Sequence, residues 1–428
     1  MLESKPGDLP KKKSLSGVLE SGGDDGKVPT TIKIVAGLYF LQKIKTKWRR
    51  FKMTTKRTSR NFHGLNNNLK EADEQALESA LKELTSGIEK LDQESISAMQ
   101  QRLDVKIKPT RSLGVLEDIG QQLAGIFRTS QPKIEGKAVL LMGGDHGVVT
   151  EGVSAAPQEV TAQMFYSYLE GGAGINVLAE YGGAKVIATD IGIAAPLDPP
   201  ELMVNRVKNG TNNIAEGPAM TRQEALLALL TGAQIAAKTV DSGVNLLATG
   251  EVGIGNTTPS AALVSVFTGH SVEEVTGRGT GVSDEALKHK QDVIKRAIEV
   301  NQPDPSDPID TLSKIGGLEI AALTGAILEA AYQHIPIILD GIISSAAALT
   351  AAQLAPISAR YMISSHNSEE QGHRLALKQL GLQPRLDFHM RLGEGTGAAL
   401  MFPMVEAALK IADEMATFES AGVTTGDF

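Results

Sequence analysis

Six short runs rich in Val, Ile and Leu recur along this chain, each ending in glycine or a polar residue and each followed by a helical pattern. They are KAVLLMGG (137–144), AKVIATDIGI (184–193), VNLLATG (244–250), IPIILDG (335–341), ARYMISSH (359–366) and LDFHMRLGEG (386–395). Short runs that are apolar throughout, not on alternate residues, suit strands buried on both faces. Strands alternating with helices build a parallel sheet covered on both sides, so the series predicts an α/β fold. Such sheets bind ligands beyond the carboxyl ends of their strands. Chemistry is therefore expected in the loops that close the runs: GGDHG, TGEVGIGNTTP, DGIISS, SSHNS and RLGEGTG.

The rest of the 428 residues can be arranged around that sheet. The charged, periodic stretch within 68–103 (NLKEADEQALESALKELTSGIEKL) predicts one or two amphipathic helices. Aromatics are only 4% while Ala and Gly abound, so helices can approach closely. The absence of cysteine excludes disulfides, thiolate metal sites and a cysteine nucleophile, and it fits a reducing, cytoplasmic compartment. Charge is unevenly spread. Residues 1–60 hold 15 Lys/Arg against 5 Asp/Glu, leaving 27 against 45 for the remainder. An acidic body does not suit a nucleic-acid surface.

Residues 1–30 are Gly, Ser, Pro and charge, a composition that favours disorder. In 31–52, TIKIVAGLYFLQKIKTKWRRFK, the residues Ile34, Leu38, Leu41, Trp48 and Phe51 fall near helical spacing opposite Lys and Arg. That pattern suits an anionic membrane surface or a partner, and it is the one place where membrane contact is expected. The apolar run is too short to span a bilayer. It is also a poor signal peptide, and Glu3, Asp8 and Glu20 oppose a transit peptide. The reading we favour makes Met53 the functional start and the upstream part dispensable.

Two loops combine glycines with a carboxylate. In TGEVGIGNTTP (249–259), Gly250, Gly253 and Gly255 permit tight turns and close approach to a ligand. Thr257 or Thr258 can cap the helix that follows, and Pro259 suits its first turn. Backbone N–H groups at such a terminus favour an anion, phosphate above all. Glu251 sits in the same loop. In RLGEGTGAAL (391–400), Gly393, Gly395 and Gly397 bracket Glu394, and Thr396 starts a helix. Neither loop has the GK[ST] ending of a Walker loop or the G-x-G-x-x-G spacing of dinucleotide sites. A carboxylate partly closed to water gains proton affinity and can serve as a general base. A charge favoured by the helix dipole would explain either glutamate alone, but two such loops in one chain weigh against it.

Other loops say less. Asp145 and His146 are adjacent and would point to opposite faces, so they read as a hydrogen-bonding pair and not as metal ligands. Asp340 lacks the second acid that would hold magnesium against a diphosphate, and is discounted for that role. Lys290 alone reads as a surface lysine on a charged helix. Ser365, His366 and Ser368 in SSHNSEEQG (364–372) read equally as a second anion cap or a polar turn. No G-x-S-x-G elbow is present.

Further stretches join these loops: KPTRSLGVLE (108–117), DHGVVTEGVSAAPQEVTAQM (145–164), GEVGIGNTTPSAALVSVFTG (250–269) and NQPDPSDPIDTLSKIGGLEIAALTG (301–325). ILDGIISSAAALTAAQLAP (338–356) and RLGEGTGAALMFPMVEAA complete the set. With them the chain resembles the nicotinate-nucleotide–dimethylbenzimidazole phosphoribosyltransferases, from about residue 66 to about 418. The resemblance implies a Rossmann-like parallel α/β domain (131–400) with helices on both faces. It adds a small helical domain built from both chain ends, 66–130 and a C-terminal helix in 401–428, and leaves residues 1–60 as an extension. It implies a homodimer whose partner helps close the site, and neither cofactor nor metal. The implied reaction moves 5-phosphoribosyl from nicotinate mononucleotide to 5,6-dimethylbenzimidazole or a related base, as in cobalamin assembly.

By the same resemblance Glu394 takes the proton shed by the incoming base, and Glu251 orients a reactant or shares that transfer. Lys290 lies near the sugar phosphate. Gly253, Asn256, Thr257, Ser368, Gly395 and Thr396 line ribose and phosphate, and Ala156, Met164, Val252 and Leu392 form the base pocket. There are departures. Where familiar members carry a serine and a glutamine facing the base, this chain has Ala156 and Met164. Such a pocket reads its ligand mainly by shape, which predicts a relaxed choice of acceptor. Two alternatives remain: a homologue that binds without turnover, and a nucleotide hydrolase that uses water.

Overall fold

The computed structural model describes residues 62–65, 69–277 and 283–424. The basic extension, with its amphipathic pattern and Met53, lies outside the described residues. Five of the six apolar runs form strands: β1 (Lys137–Gly144), β2 (Lys185–Gly192), β3 (Leu246–Val252), β4 (Ile337–Leu339) and β5 (Met362–Ser364). All pairings are parallel, in the order β2-β1-β3-β4-β5. The order reverses about β1, so a crevice is expected beyond the carboxyl ends of β1 and β3. Register places Met142 of β1 between Thr189 and Glu251.

The sixth run, LDFHMRLGEG, is not a strand. Its β-type pairing is an isolated bridge between His366 and Leu386. Asp387, His389 and Arg391 interrupt its apolar residues, and His389 takes a positive φ of 53°, which no ladder accommodates. Phe388 and Leu392 are consequently exposed. The segment is a loop, and the buried unit begins only at Glu394.

The helices in chain order are α1 (Glu74–Ser86), α2 (Gln93–Asp104), α3 (Val115–Phe127), α4 (Glu159–Glu170) and α5 (Gly174–Tyr181). They continue with α6 (Arg222–Asp241), α7 (Thr257–Thr268), α8 (Val272–Val275), α9 (Asp284–Asn301) and α10 (Pro308–Ile315). The last five are α11 (Leu318–Tyr332), α12 (Ile342–Leu354), α13 (Gln371–Gln379), α14 (Thr396–Glu414) and α15 (Phe418–Ala421). Local chemistry sets several starts. Asp73 caps α1, Asp92 caps α2, Thr221 and Glu224 form a capping box on α6, and Asp307 with Pro308 opens α10.

Alternate strand residues serve two cores. Ala138, Leu140 and Met142 join the core that holds α6, α11 and α12, while Val139 and Leu141 are buried outside it. Val139 lies instead against Gly250 and Gly395, on the side covered by α14. Helices therefore cover both faces of the sheet. The expected close approach is realised where α6 crosses α11. A β-carbon on Gly232 would strike the Ala322 main chain, and one on Gly325 would strike that of Leu229. Away from the sheet, α2 and α3 pack together and against α14, and Ile107 and Phe418 donate backbone bonds to Ala416 and Val105. The helix α1 rests instead on α6 and α11. Among the described residues no helix is long and apolar enough to cross a membrane.

Candidate functional site

A cavity of about 430 Å³ opens at the carboxyl ends of β1 and β3. Its walls come from the loop after β1, α4, the β3–α7 loop, the first residues after β4 and β5, and the loop before α14. Glu251 ends β3 and is buried. One of its oxygens accepts the Glu394 backbone N–H at 3.3 Å, and the other accepts the Asn256 side-chain amide. Burial first, and the charge of Asp340 second, push its carboxyl up to about 8.

Glu394 owes its place to unusual backbone. Gly393, Glu394 and Gly395 take φ values of 82°, 63° and 95°, three successive left-handed residues. Glycine adopts this readily, whereas glutamate does so at a cost of about 1–2 kcal/mol. Both flanking glycines are also needed for space. A β-carbon on Gly393 would meet the Glu251 carboxyl at 2.5 Å, and one on Gly395 would meet the Thr249 carbonyl at 2.8 Å. The turn closes on itself as Thr396 donates from both N and Oγ1 to the Gly393 carbonyl, at 3.0 and 2.8 Å.

Asp340, at the end of β4, holds this turn. Its Oδ2 accepts the Gly395 N–H at 3.0 Å, and its Oδ1 accepts those of Gly397 and Ala398 at 2.8 and 3.1 Å. A buried carboxylate thus satisfies three N–H groups at the start of α14 and complements the helix dipole. The sequence offers no second acid beside Asp340 to hold a magnesium ion; the single acid serves a neighbouring loop instead. His366 stands 4.0 Å from Asp340 and packs so tightly on Gly397 that no β-carbon fits there.

The Glu394 side chain points into the cavity wall. Its Oε2 accepts the Ile175 N–H at 3.2 Å. Burial raises its proton affinity, the Ile175 bond lowers it, and the Asp340 charge adds to the rise; the net shift is upward.

Across the cavity, α7 begins at Asn256 without a side-chain cap. Neither Thr257 nor Thr258 caps it. Thr257 Oγ1 accepts a 2.7 Å bond from Lys290 Nζ, reaching over from α9. The ammonium of Lys290 is buried, contrary to the surface lysine its charged helix suggested, and burial lowers its pKa against the pull of Glu370. A helix N-terminus and a buried ammonium thus face the same space, an arrangement suited to a phosphate.

Of the residues singled out in the sequence, Glu251, Glu394, Gly253, Asn256, Thr257, Lys290, Ser368, Ala156, Met164, Val252 and Leu392 all line this cavity. Gly395 and Thr396 do not; they form the turn beneath Glu394. Leu392 is 61% exposed and sits at the rim. Tyr168, His366 and Arg391 also line it. Tyr168 went unnoticed in the sequence because one turn after Met164 it looks like ordinary helix core. Asp145 and His146 behave as the hydrogen-bonding loop expected: Asp145 accepts the Ala194 N–H at 2.8 Å, and His146 pairs with buried Glu319 at 2.8 Å.

With this geometry in place, the comparisons with known proteins decide the family. The sequence pattern of a family described as phosphoribosyltransferase matches residues 88–423. The nicotinate-nucleotide–dimethylbenzimidazole phosphoribosyltransferase of Desulforamulus reducens is 54% identical over 348 residues, 81% of this chain and 99% of that protein. The chain belongs to this family. Its counterpart in Geobacter sulfurreducens is 50% identical over 349 residues, again 81% of this chain and 99% of the other. The family's solved structures agree. A crystal structure of CobT from Thermus thermophilus superposes with a TM-score of 0.75 at 43% identity, covering 78% of this chain and all of that one.

Proposed function

We propose that this chain transfers 5-phosphoribosyl from nicotinate mononucleotide to 5,6-dimethylbenzimidazole or a closely related base, releasing nicotinate. Family membership supports the reaction class, and one observation carries its application to this cavity. A buried carboxylate on a turn held by Asp340 faces the same space as a helix N-terminus backed by a buried lysine.

In this reading the sugar phosphate sits at the start of α7 with Lys290. The bond from C1′ to the pyridinium nitrogen breaks, and its electron pair stays with the departing ring. One benzimidazole nitrogen forms the new bond to C1′, and Glu394 accepts the proton on the other. Burial makes Glu394 a better acceptor than a solvated glutamate. Glu251 holds the Glu394 backbone N–H and so fixes where that acceptor stands. Attack opposite the leaving ring inverts β to α. Holding both reactants in one cavity supplies much of the acceleration.

We also place the reaction in the cytoplasm, in keeping with the cysteine-free chain, and propose a homodimer. Val177 and Tyr181 are exposed on α5, which packs on α14 beside the cavity, and would suit such an interface. Light scattering on the purified protein tests the dimer.

The decisive experiment analyses the products from nicotinate mononucleotide and dimethylbenzimidazole with wild-type protein and with Glu394→Gln. The wild type is expected to yield α-ribazole 5′-phosphate. The variant should lose about a hundredfold or more in kcat, the usual worth of a general base, with nucleotide binding retained. Ribose 5-phosphate would point to water as acceptor, and near-normal turnover by the variant would remove Glu394 as the base.

A further inference from the structure

Glu151 lies outside the cavity lining, yet the loop after β1 and the helix α9 are joined through it. It closes the 3-10 turn Gly147–Glu151, and Val153 to Ala156, which follow, are cavity wall. One carboxylate oxygen accepts the Asn213 side-chain amide at 2.7 Å, and the other pairs with Arg296 of α9. The Glu151 carbonyl accepts His289 Nε2, also from α9, at 2.6 Å. A carbonyl only accepts, so that ring nitrogen carries a proton. The anchor itself is stiff. Gly147 N–H donates to the Thr211 carbonyl at 3.1 Å, and a β-carbon on Gly147 would strike the main chain of Asn212 and Asn213. The loop that carries Asn213 therefore packs directly on the turn that carries Glu151. His289 and Arg296 stand seven residues apart, two turns of α9, and so leave the same face. Lys290 follows His289 about 100° around the axis and turns inward to Thr257. Val293, Ile294 and Ala297 are buried, and Asn301 donates to the Ile214 carbonyl at 2.7 Å, so the far half of α9 is held by its own packing. None of residues 284–289 is buried. On that side of Lys290, the His289 bond to Glu151 is what ties the helix down.

We propose that Glu151 is a positioning residue for the phosphate-facing lysine: it clips α9 to the loop after β1, so that the Lys290 ammonium stands at the start of α7 before any substrate arrives. The kinetic side of this rests on the reaction proposed above, which seats the sugar phosphate beside Lys290; the clip itself does not. Glu151 touches no reactant and acts only through α9. A lysine already held in place loses less freedom when it meets an anion, so the clip strengthens phosphate binding without adding a contact. The same residue heads the wall at Val153 to Ala156, so the phosphate end and the base end of the cavity share one anchor. The Asn213 bond, with Arg296 and His289 after it, outweighs burial and holds the Glu151 carboxyl below the ordinary glutamate range. The clip is therefore charged at neutral pH.

The test is Glu151→Gln, which keeps the shape and removes the charge. Lysines of the ligand-free protein are acetylated with acetic anhydride and followed one by one by mass spectrometry. Lys290 should label about three- to tenfold faster in the variant, the range for losing a partly exposed charged pair. Lys108, similarly buried beside Glu117 of α3, is the control and should label at its wild-type rate. Arg296→Gln breaks the pair from the α9 side, leaves Asn213 on Glu151, and should speed Lys290 labelling to a smaller extent. In turnover, Glu151→Gln should raise KM for nicotinate mononucleotide about fivefold and leave kcat within about twofold, as for an interaction made alike in ground and transition states. A double-mutant cycle on kcat/KM separates positioning from general loosening. In a Lys290→Ala background, Glu151→Gln should cost less than about twofold, because the group it positions is gone. Unchanged labelling of Lys290, Lys108 speeding up along with it, or an equal loss of kcat/KM in both backgrounds overturns the proposal. Labelling is read without substrate. Wild-type protein that made no ribotide would thus count against the reaction proposed above, while the labelling would still decide the role of Glu151.

Discussion

Replacing Glu251 by Gln should make the protein more stable, and only at higher pH. The Glu251 carboxyl is pushed from its ordinary 4.5 up to about 8 in the folded state. The folded protein therefore holds a proton that the unfolded chain has already released across that interval. Stability must fall as pH rises from about 4.5 to about 8, and the full penalty applies above it. Each unit corresponds to about 1.4 kcal/mol, so between pH 5 and 9 the wild type loses about 3–4 kcal/mol through this group. Glutamine cannot ionise and escapes that loss. It does forfeit one of the two bonds the carboxylate accepts from Glu394 N–H and the Asn256 amide, a constant offset of about 1–2 kcal/mol. Roughly 350 described residues imply that 1 kcal/mol moves Tm by about 1.4 °C. Melting curves of both proteins from pH 5 to pH 9 should therefore show the difference growing in favour of Glu251→Gln by about 4–6 °C. A difference that stays flat across that range, or grows the other way, refutes the reasoning.

Two further outcomes follow from the same geometry. Asp340→Asn keeps one acceptor oxygen and turns an amide toward the Gly395 N–H, so it should lower Tm by about 2–5 °C through one unsatisfied buried donor and the lost dipole pairing. It should also reduce kcat about tenfold or more by loosening the turn, with nucleotide binding by calorimetry nearly unchanged. In direct competition the protein should use benzimidazole and dimethylbenzimidazole within about tenfold of each other, since Ala156 and Met164 give an apolar wall; strong exclusive use of dimethylbenzimidazole would contradict that.

How legible all this was depended on whether the signal was local. Five strands could be read because each is a continuous apolar run that pairs where its composition suggests. LDFHM misled because apolar content alone does not provide an edge to pair with, and His389 and Arg391 already disrupt the run. Glu251 and Glu394 stood out because glycines surround them. Asp340 did not, because its partners are main-chain groups 55 to 58 residues later, and no side-chain spacing encodes them. Lys290 was hidden by its own helix: its charged neighbours describe the wet face, while the lysine itself turns inward to Thr257. Tyr168 was hidden by the opposite effect, because an aromatic at helical spacing reads as packing until it is seen lining the cavity.

The left-handed turn that carries Glu394 has a wider consequence. Main-chain bonds to Asp340 and Glu251 set its address, and none of these bonds is made by Ala156, Met164 or Val252. The wall at Ala156, Met164 and Val252 can therefore be recut by substitution without relocating the proton acceptor. Choice of partner and execution of chemistry are written on different parts of the chain, so descendants of this scaffold are free to change the one while inheriting the other intact.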